Sequence, residues 1–464
     1  MFMFFTKNKL ALAVVINVSV WGLGGVQSAQ AGLFSDYATD AQAFRSSLIQ
    51  PSSDTLFLTL EKKQKSKDAI LFLLEKARLQ QSHQQYEDSK QSFEAAFALL
   101  DEKQNQAKIS ASAIGYKALS LVSNDSVVPY NIPGYEQVLA HVSQAINFLA
   151  LNNPEGAAVE MRIAQRIQRE IELDHSKEAE KAEKAAKKDS KTPPEDEEND
   201  DKYEEAFAGL STIAGKVKNT YQNAYAFYMA ATLWEALGEH NDALVDYKKA
   251  YELQPDNYIK QDVTRLDAGH KQAGASYPVV VFLEQGLIPQ KVPASFAFPT
   301  TDGLINISYA SYDPASYITP VPATILVDGR QITTTNPLSD IGALAVKTLK
   351  EAVIGNMATQ IARSTAKYAV QKEMGNRLGI FGQLAGNLYN TATEKADTRA
   401  WNTLPGNAQV ARFLLPAGNH TLELVNGAVR KSIDIEVSPN HTTFVHGIEA
   451  NEQMAASSFK VGQQ

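Results

Sequence analysis

The stretch from Ala226 to Asp256 constrains the fold more than any other part of the chain. Gly238, Ala243, Tyr247, Ala250 and Pro255 fall within it at fixed intervals, and each has a mechanical reason to be there. Gly238 permits a tight turn between two helices, because it has no Cβ to penalise a left-handed backbone. Ala243 and Ala250 let the second helix approach the first, Tyr247 fills the gap between them, and Pro255 ends the pair. A helical pair of this kind leaves one apolar face uncovered, so it needs neighbours stacked against it.

Those intervals are the spacing of a tetratricopeptide repeat. Upstream, Tyr86, Ser89, Phe93 and Ala96 take the same relative positions. A third unit runs from Gln137 to Gln168, where Ala145, Phe148, Leu149, Ala157, Ala158, Met161 and Ala164 build two apolar faces around an Asn152-Asn153-Pro154 turn. From Asp36 to about Asp267 apolar residues recur at three and four, which predicts a TPR-like α-solenoid over residues 32–270. From about 176 to 204 the chain turns to Lys, Glu and Ala and then to the acidic run Pro193–Asp201. That composition reads as a disordered charged insertion.

After Gly274 the texture changes to short runs of Val, Ile, Phe and Tyr bounded by Gly and Pro. Strands are expected at 279–283, 291–298, 304–311, 323–327, 408–415, 421–425, 431–437 and 442–448, with turns at Asp328-Gly329, Asn426-Gly427 and Pro439-Asn440. The fold class is therefore α plus β in two domains, the second an antiparallel β-sandwich over 275–450 with an inserted helical hairpin at about 338–398. Residues 451–464 read as a flexible tail.

Lys7 and Lys9 precede a mostly apolar run from Leu10 to Val20, and Ala29-Gln30-Ala31 supplies small residues for cleavage. This is the pattern of a signal peptide over residues 1–31, and it places the mature protein in the periplasm. No later window is apolar enough to span a membrane. The chain has no cysteine, which excludes disulfides, thiolate catalysis and the lipid-attachment residue of a lipoprotein. A net charge of -8 gives no reason to expect nucleic acid. Outer-membrane association and peripheral contact through the Leu378–Gly382 corner stay open.

Chemistry-bearing motifs are sparse. The eight histidines lack metal-ligand spacing, and there is no nucleophile elbow, phosphate loop or dinucleotide fingerprint, so neither a metal nor a cofactor is expected. The densest polar cluster of the second domain is Glu394, Lys395, Asp397, Arg399 and Trp401, with Arg363 and Lys367 as partners for its carboxylates. It reads as ion pairs closing a helix end, and alternatively as the acid–base site of a wall-modifying hydrolase. The aromatics best placed for a binding groove are Tyr225, Tyr228, Trp234, Tyr247 and Tyr251.

Several phrases occur together: Leu73-Leu74-Glu75-Lys76-Ala77-Arg78, Asn124-Asp125 with Tyr130, Gly134-Tyr135-Glu136, Val159-Glu160-Met161-Arg162, Phe282–Lys291 and Ala396–Pro405. With them the chain resembles a family of uncharacterised exported tetratricopeptide-containing proteins of gammaproteobacteria, over nearly all of the mature sequence. The resemblance implies an envelope location and assigns no activity or site residue. The expected function is that of a non-enzymatic periplasmic adaptor that binds envelope proteins through a helical groove and a β domain. The alternatives are the hydrolase and a membrane-surface protein. N-terminal sequencing of the protein from envelope fractions is expected to begin at Gly32; a start at Met1 would instead mark an uncleaved anchor.

Overall fold

A computed structural model describes residues 37–50, 54–109, 130–188, 208–269, 275–300, 303–353 and 396–462. Helices fill the first part: α1 (Tyr37–Ser46), α2 (Asp54–Lys63), α3 (Ala69–Ser82), α4 (Tyr86–Ile109), α5 (Gly134–Ala150), α6 (Pro154–Lys188), α7 (Ala208–Ala214), α8 (Ala224–Ala236), α9 (His240–Leu253) and α10 (Asn257–Asp267). Three tight pairs, α3/α4, α5/α6 and α8/α9, stack in chain order, with α10 packed on α9.

The three pairs share one turn. Gln84, Asn152 and Gly238 each take a left-handed backbone (φ 64°, 54° and 82°). The next residue's N–H reaches back to the carbonyl five residues earlier: Gln85 to Gln80 (2.9 Å), Asn153 to Phe148 (2.8 Å) and Glu239 to Trp234 (2.8 Å). This closes the first helix with a 6→1 bond. Counting from each turn residue, positions 5, 9 and 12 are Ser89, Phe93 and Ala96, then Ala157, Met161 and Ala164, then Ala243, Tyr247 and Ala250, and all nine are buried. Small, large, small on one helical face is the pattern that lets each second helix close on its first.

The strands are β1 (Ser276–Gln285), β2 (Lys291–Thr300), β3 (Gly303–Tyr312), β4 (Thr324–Val327), β5 (Arg330–Thr334), β6 (Asn336–Ser339), β7 (Asn407–Pro416), β8 (Gly418–Asn426), β9 (Val429–Val437), β10 (His441–Ala450) and β11 (Gln453–Gly462). They form a five-stranded sheet in the order β11-β10-β1-β7-β6, a four-stranded sheet in the order β5-β4-β8-β9, and a β2-β3 hairpin. Residues 341–353 add a helix, α11. One apolar cluster joins Val279, Val281 and Leu283 of β1 and Val445 of β10 to Ile325, Leu422, Leu424 and Ile435 of the four-stranded sheet. Alternate positions of β1 point the other way, where Phe282 meets Tyr225 and Tyr228 of α8, with ring centroids 5.8 and 6.2 Å apart. Being covered on both faces explains why β1 is a continuous apolar run rather than an alternating one. The described residues from Ala38 onward form one compact unit.

Three expectations change. The five-stranded sheet is mixed rather than antiparallel, because β1 and β10 run parallel, with Val281 opposite Val445; no hairpin links them, so no turn dictates their sense. The flexible tail after residue 450 is instead β11, paired antiparallel with β10 along its whole length. The joining turn uses Asn451 and Glu452, both left-handed (φ 52° and 58°), and lacks the glycine that usually marks such a turn. The disordered insertion does not begin at 176, since α6 runs on to Lys188; Ala, Glu and Lys hold a helix without a core. Residues 189–204 of that insertion, and 354–395 of the expected helical hairpin, lie outside the described residues. No described helix is long and apolar enough to cross a membrane.

The β10–β11 turn supplies a test. Replacing Glu452 with Gly removes the steric penalty of a left-handed residue, and a gain of about 1 kcal/mol, seen as a higher Tm in thermal unfolding, is expected.

Candidate functional site

Charged residues converge where the helical pairs meet the five-stranded sheet. Arg78 of α3 and Glu284 of β1 form a buried ion pair, both nearly inaccessible to solvent. Tyr225 of α8 donates its hydroxyl to Glu284 Oε1 at 2.9 Å, and His446 Nε2 of β10 stands 3.4 Å from Oε2. Burial drives the Glu284 carboxyl up, but Arg78 and then His446 outweigh it and hold the group down at about 2. The other side of Arg78 donates to Gln81 (2.7 Å), which bonds Asn147 (2.8 Å), which bonds Ser89 (2.9 Å). A polar chain therefore ties α3, α4 and α5 to one strand.

A second cluster repeats the arrangement at the other end of α8. Arg412 of β7 donates through both terminal nitrogens to Glu235 of α8 (2.7 and 2.9 Å), and Arg265 of α10 forms a second fork on the same carboxylate (2.6 and 2.8 Å). Burial opposes ionisation of Glu235, yet the two guanidiniums, Arg412 foremost, hold it down at about 2. Arg412 also donates to Tyr247 OH (3.0 Å), and Tyr228 OH donates to Asp262 (2.5 Å).

The third cluster holds the segment leading into β7. Arg399 is bonded twice to Asp397 (2.7 and 2.5 Å) and once to Asp68 (2.5 Å), with its guanidinium 5.7 Å from the Tyr130 ring centroid. Burial raises Asp397, but Arg399 pulls it below the usual carboxylate range. Two helix carboxylates then grip backbone amides: Glu75 accepts from Asn402 N (2.6 Å) and Thr403 N (3.3 Å), and Glu136 accepts from Trp401 N (3.3 Å). Glu136 also accepts from Tyr130 OH (2.8 Å), and burial leaves its carboxyl raised despite Lys291 nearby. The Trp401 ring is fully buried against Phe93.

The sequence-derived candidates divide accordingly. Tyr225, Tyr228, Trp234 and Tyr247 are 0–2% exposed, so they line no open groove; the rings of Tyr225 and Tyr228 pack on Phe282 of β1, and the polar atoms of the four are bonded to Glu284, Asp262, Asp246 and Glu235. Tyr251 is partly exposed. Asp397, Arg399 and Trp401 come together as the pairs just described, whereas Arg363, Lys367 and Glu394 lie outside the described residues. An acid–base pair needs a carboxyl open to a substrate; Asp397 is instead clamped by Arg399. Among the described residues no group of three His, Cys, Asp or Glu side chains could hold a metal.

Sequence reasoning missed Arg78, Glu284, Glu235, Arg412 and the roles of Glu75 and Glu136. The available signal was a charge inside an apolar run: Glu75 and Arg78 within Ile70–Leu79, and Glu284 after Val279–Leu283. Buried charges survive only when paired, so such positions announce a partner without naming it. Phrases quoted from distant parts of the sequence meet at these clusters. No family model, curated protein or solved structure matches the chain.

Glu284→Gln alone is expected to cost about 3–5 kcal/mol in urea unfolding at neutral pH, by leaving Arg78 uncompensated, and Arg78→Met with Glu284→Leu together to cost much less. Because the folded carboxyl titrates near 2 rather than at its ordinary 4.5, its contribution is present above the ordinary value and is lost as pH falls through the folded one. The Gln variant should therefore show a shallower acid limb.

Proposed function

We propose that the protein is a non-enzymatic adaptor or scaffold of the bacterial envelope, exported by a cleaved signal peptide. In this reading the three helical pairs are a short tetratricopeptide-like array, and the two sheets are a β-sandwich with one parallel pair. The observation that carries it is the use of charge: Arg78 with Glu284, Arg412 with Glu235 and Arg399 with Asp68 are consumed in ion pairs that lock one layer to the other. That is the economy of a rigid body, not of a catalytic centre that must offer a free acid or base.

The inner face of an isolated helical array is its usual binding groove, but here the aromatics of α8 pack on β1. Partners are therefore assigned to the outward surface. Val159 and Leu173 of α6 and Val245 of α9, the second helices of their pairs, are exposed apolar side chains. Single exposed apolar residues are ordinary, and others stand elsewhere, Leu58 on α2 and Leu414 on β7 among them; Val159, Leu173 and Val245 are taken as the contact surface because they lie on the second helices of two successive pairs.

The test is a crosslinked pull-down of the mature chain from envelope fractions, beside a Val159→Glu, Val245→Glu variant. Loss of a specific partner without loss of Tm supports the adaptor reading. Partners unchanged by both substitutions, or a turnover abolished by Asp397→Ala in a folded protein, would sink it.

A further inference from the structure

Asn426 closes β8 of the four-stranded sheet, and Glu449 lies near the end of β10 in the five-stranded one. The Asn426 amide joins them: Nδ2 donates to both carboxylate oxygens of Glu449, at 2.9 Å each. Glu449 also accepts from Gln285 Nε2 of β1 (3.2 Å), and Gln285 in turn accepts from Gln409 Nε2 (2.9 Å) and Asn407 Nδ2 (3.2 Å) of β7. Glu449 is therefore the acceptor at the end of a chain of side-chain amides, and Asn426 is the donor that brings the second sheet to it.

Gly427 follows Asn426, the one Asn-Gly step in the chain. Gly427 and Ala428 form the β8–β9 turn, and both are exposed. Gly427 is left-handed (φ 56°), and no atom lies within 4 Å of where a Cβ would stand. Among the described residues its N–H has no acceptor, as suits the first residue of a two-residue hairpin loop. Asparagine is a chemically labile residue, because the backbone nitrogen that follows it can attack its side-chain carbonyl. A glycine there puts no side chain in the way.

We propose that Asn426 is a site of spontaneous deamidation, and that the product unfastens β8 from β10. The Gly427 nitrogen bonds to Asn426 Cγ, the Cγ–Nδ2 bond breaks, and Nδ2 leaves as ammonia with the proton of the Gly427 N–H. Water then opens the cyclic imide at either carbonyl, giving aspartate or isoaspartate and one added negative charge. Nδ2 is the atom that Asn426 offers to Glu449, and neither product has it. A carboxylate then stands where the donor was, against the carboxylate of Glu449, and two such groups repel. The bonds from Nδ2 favour the intact amide, so they slow the reaction that destroys them. This inference is independent of what the protein binds.

Peptide mapping of the full chain, kept folded in mildly alkaline buffer, tests the site. The tryptic peptide Phe413–Arg430 holds both Asn419 and Asn426. Aspartate and isoaspartate are expected at Asn426 while Asn419 stays intact, more slowly than in the free peptide, and Glu449→Ala should quicken the reaction. A folded chain still intact at Asn426 long after the free peptide has converted overturns the proposal. Asn426→Asp tests the consequence: Tm is expected to fall by about 2–4 °C, and Glu449→Gln added to it, which returns a donor amide, should recover most of the loss. An Asp variant with the wild-type Tm, or no recovery, rejects the unfastening. Should the Asp variant fail to fold, limited proteolysis of partly converted wild-type protein decides: enrichment of the converted form in the digested fraction supports it, and equal amounts reject it.

Discussion

Arg78 and Glu284 bring opposite charges together across 206 residues of chain, in a place water does not reach. An apolar interface between helices and a sheet tolerates sliding, because any aliphatic contact replaces another. A buried ion pair does not, since separating it leaves two desolvated charges. The pair therefore fixes where α3 lies on β1, and the bond from Tyr225 to the same carboxylate fixes α8. The Arg412–Glu235 fork does the same for β7, and Glu75 and Glu136 for the segment entering it. Layer position is set by charge, and apolar burial fills the space between.

This division explains how the two kinds of residue behave in the sequence. The three helical pairs were legible because helix closure is local: a turn residue and small, large, small spacing lie within a few residues of one another. The eight expected strands are all present for a similar reason, as alternation and turn residues are local signals. The parallel pairing of β1 with β10 was not legible. It depends on which strand occupies the middle of a sheet, and the hint in Val279–Leu283, an apolar run without alternation, speaks of burial on two sides but not of the neighbour. Strand β11 was hidden by its small and polar residues, Ala455, Ala456, Ser457 and Ser458, and by a turn built from Asn451 and Glu452.

At the candidate site the ion pair read from the sequence forms between Asp397 and Arg399, and what the sequence left unread is its surroundings. Asp397, Arg399 and Trp401 do gather, as their density suggested, yet what surrounds them is Asp68, Glu75, Tyr130 and Glu136 from a different stretch of chain. The α8 and α9 aromatics were read as lining a binding groove because a helical pair considered alone has an open inner face. In this chain that face is already occupied, by the strand that β7 and β10 flank.

The place of β1 in the sheet bears on how the chain reaches its native state. β1 is made early, directly after the helices, but its two neighbours are β7 and β10, residues 407–416 and 441–450. Until those arrive, β1 has no hydrogen-bonded strand on either side, and the inner faces of α5 and α8 have only an unfinished surface to rest on. Loop-closure entropy must be overcome before such distant pairing is rewarded. While those strands are unpaired the helical array keeps aromatic surface uncovered, a condition in which chains are prone to associate wrongly.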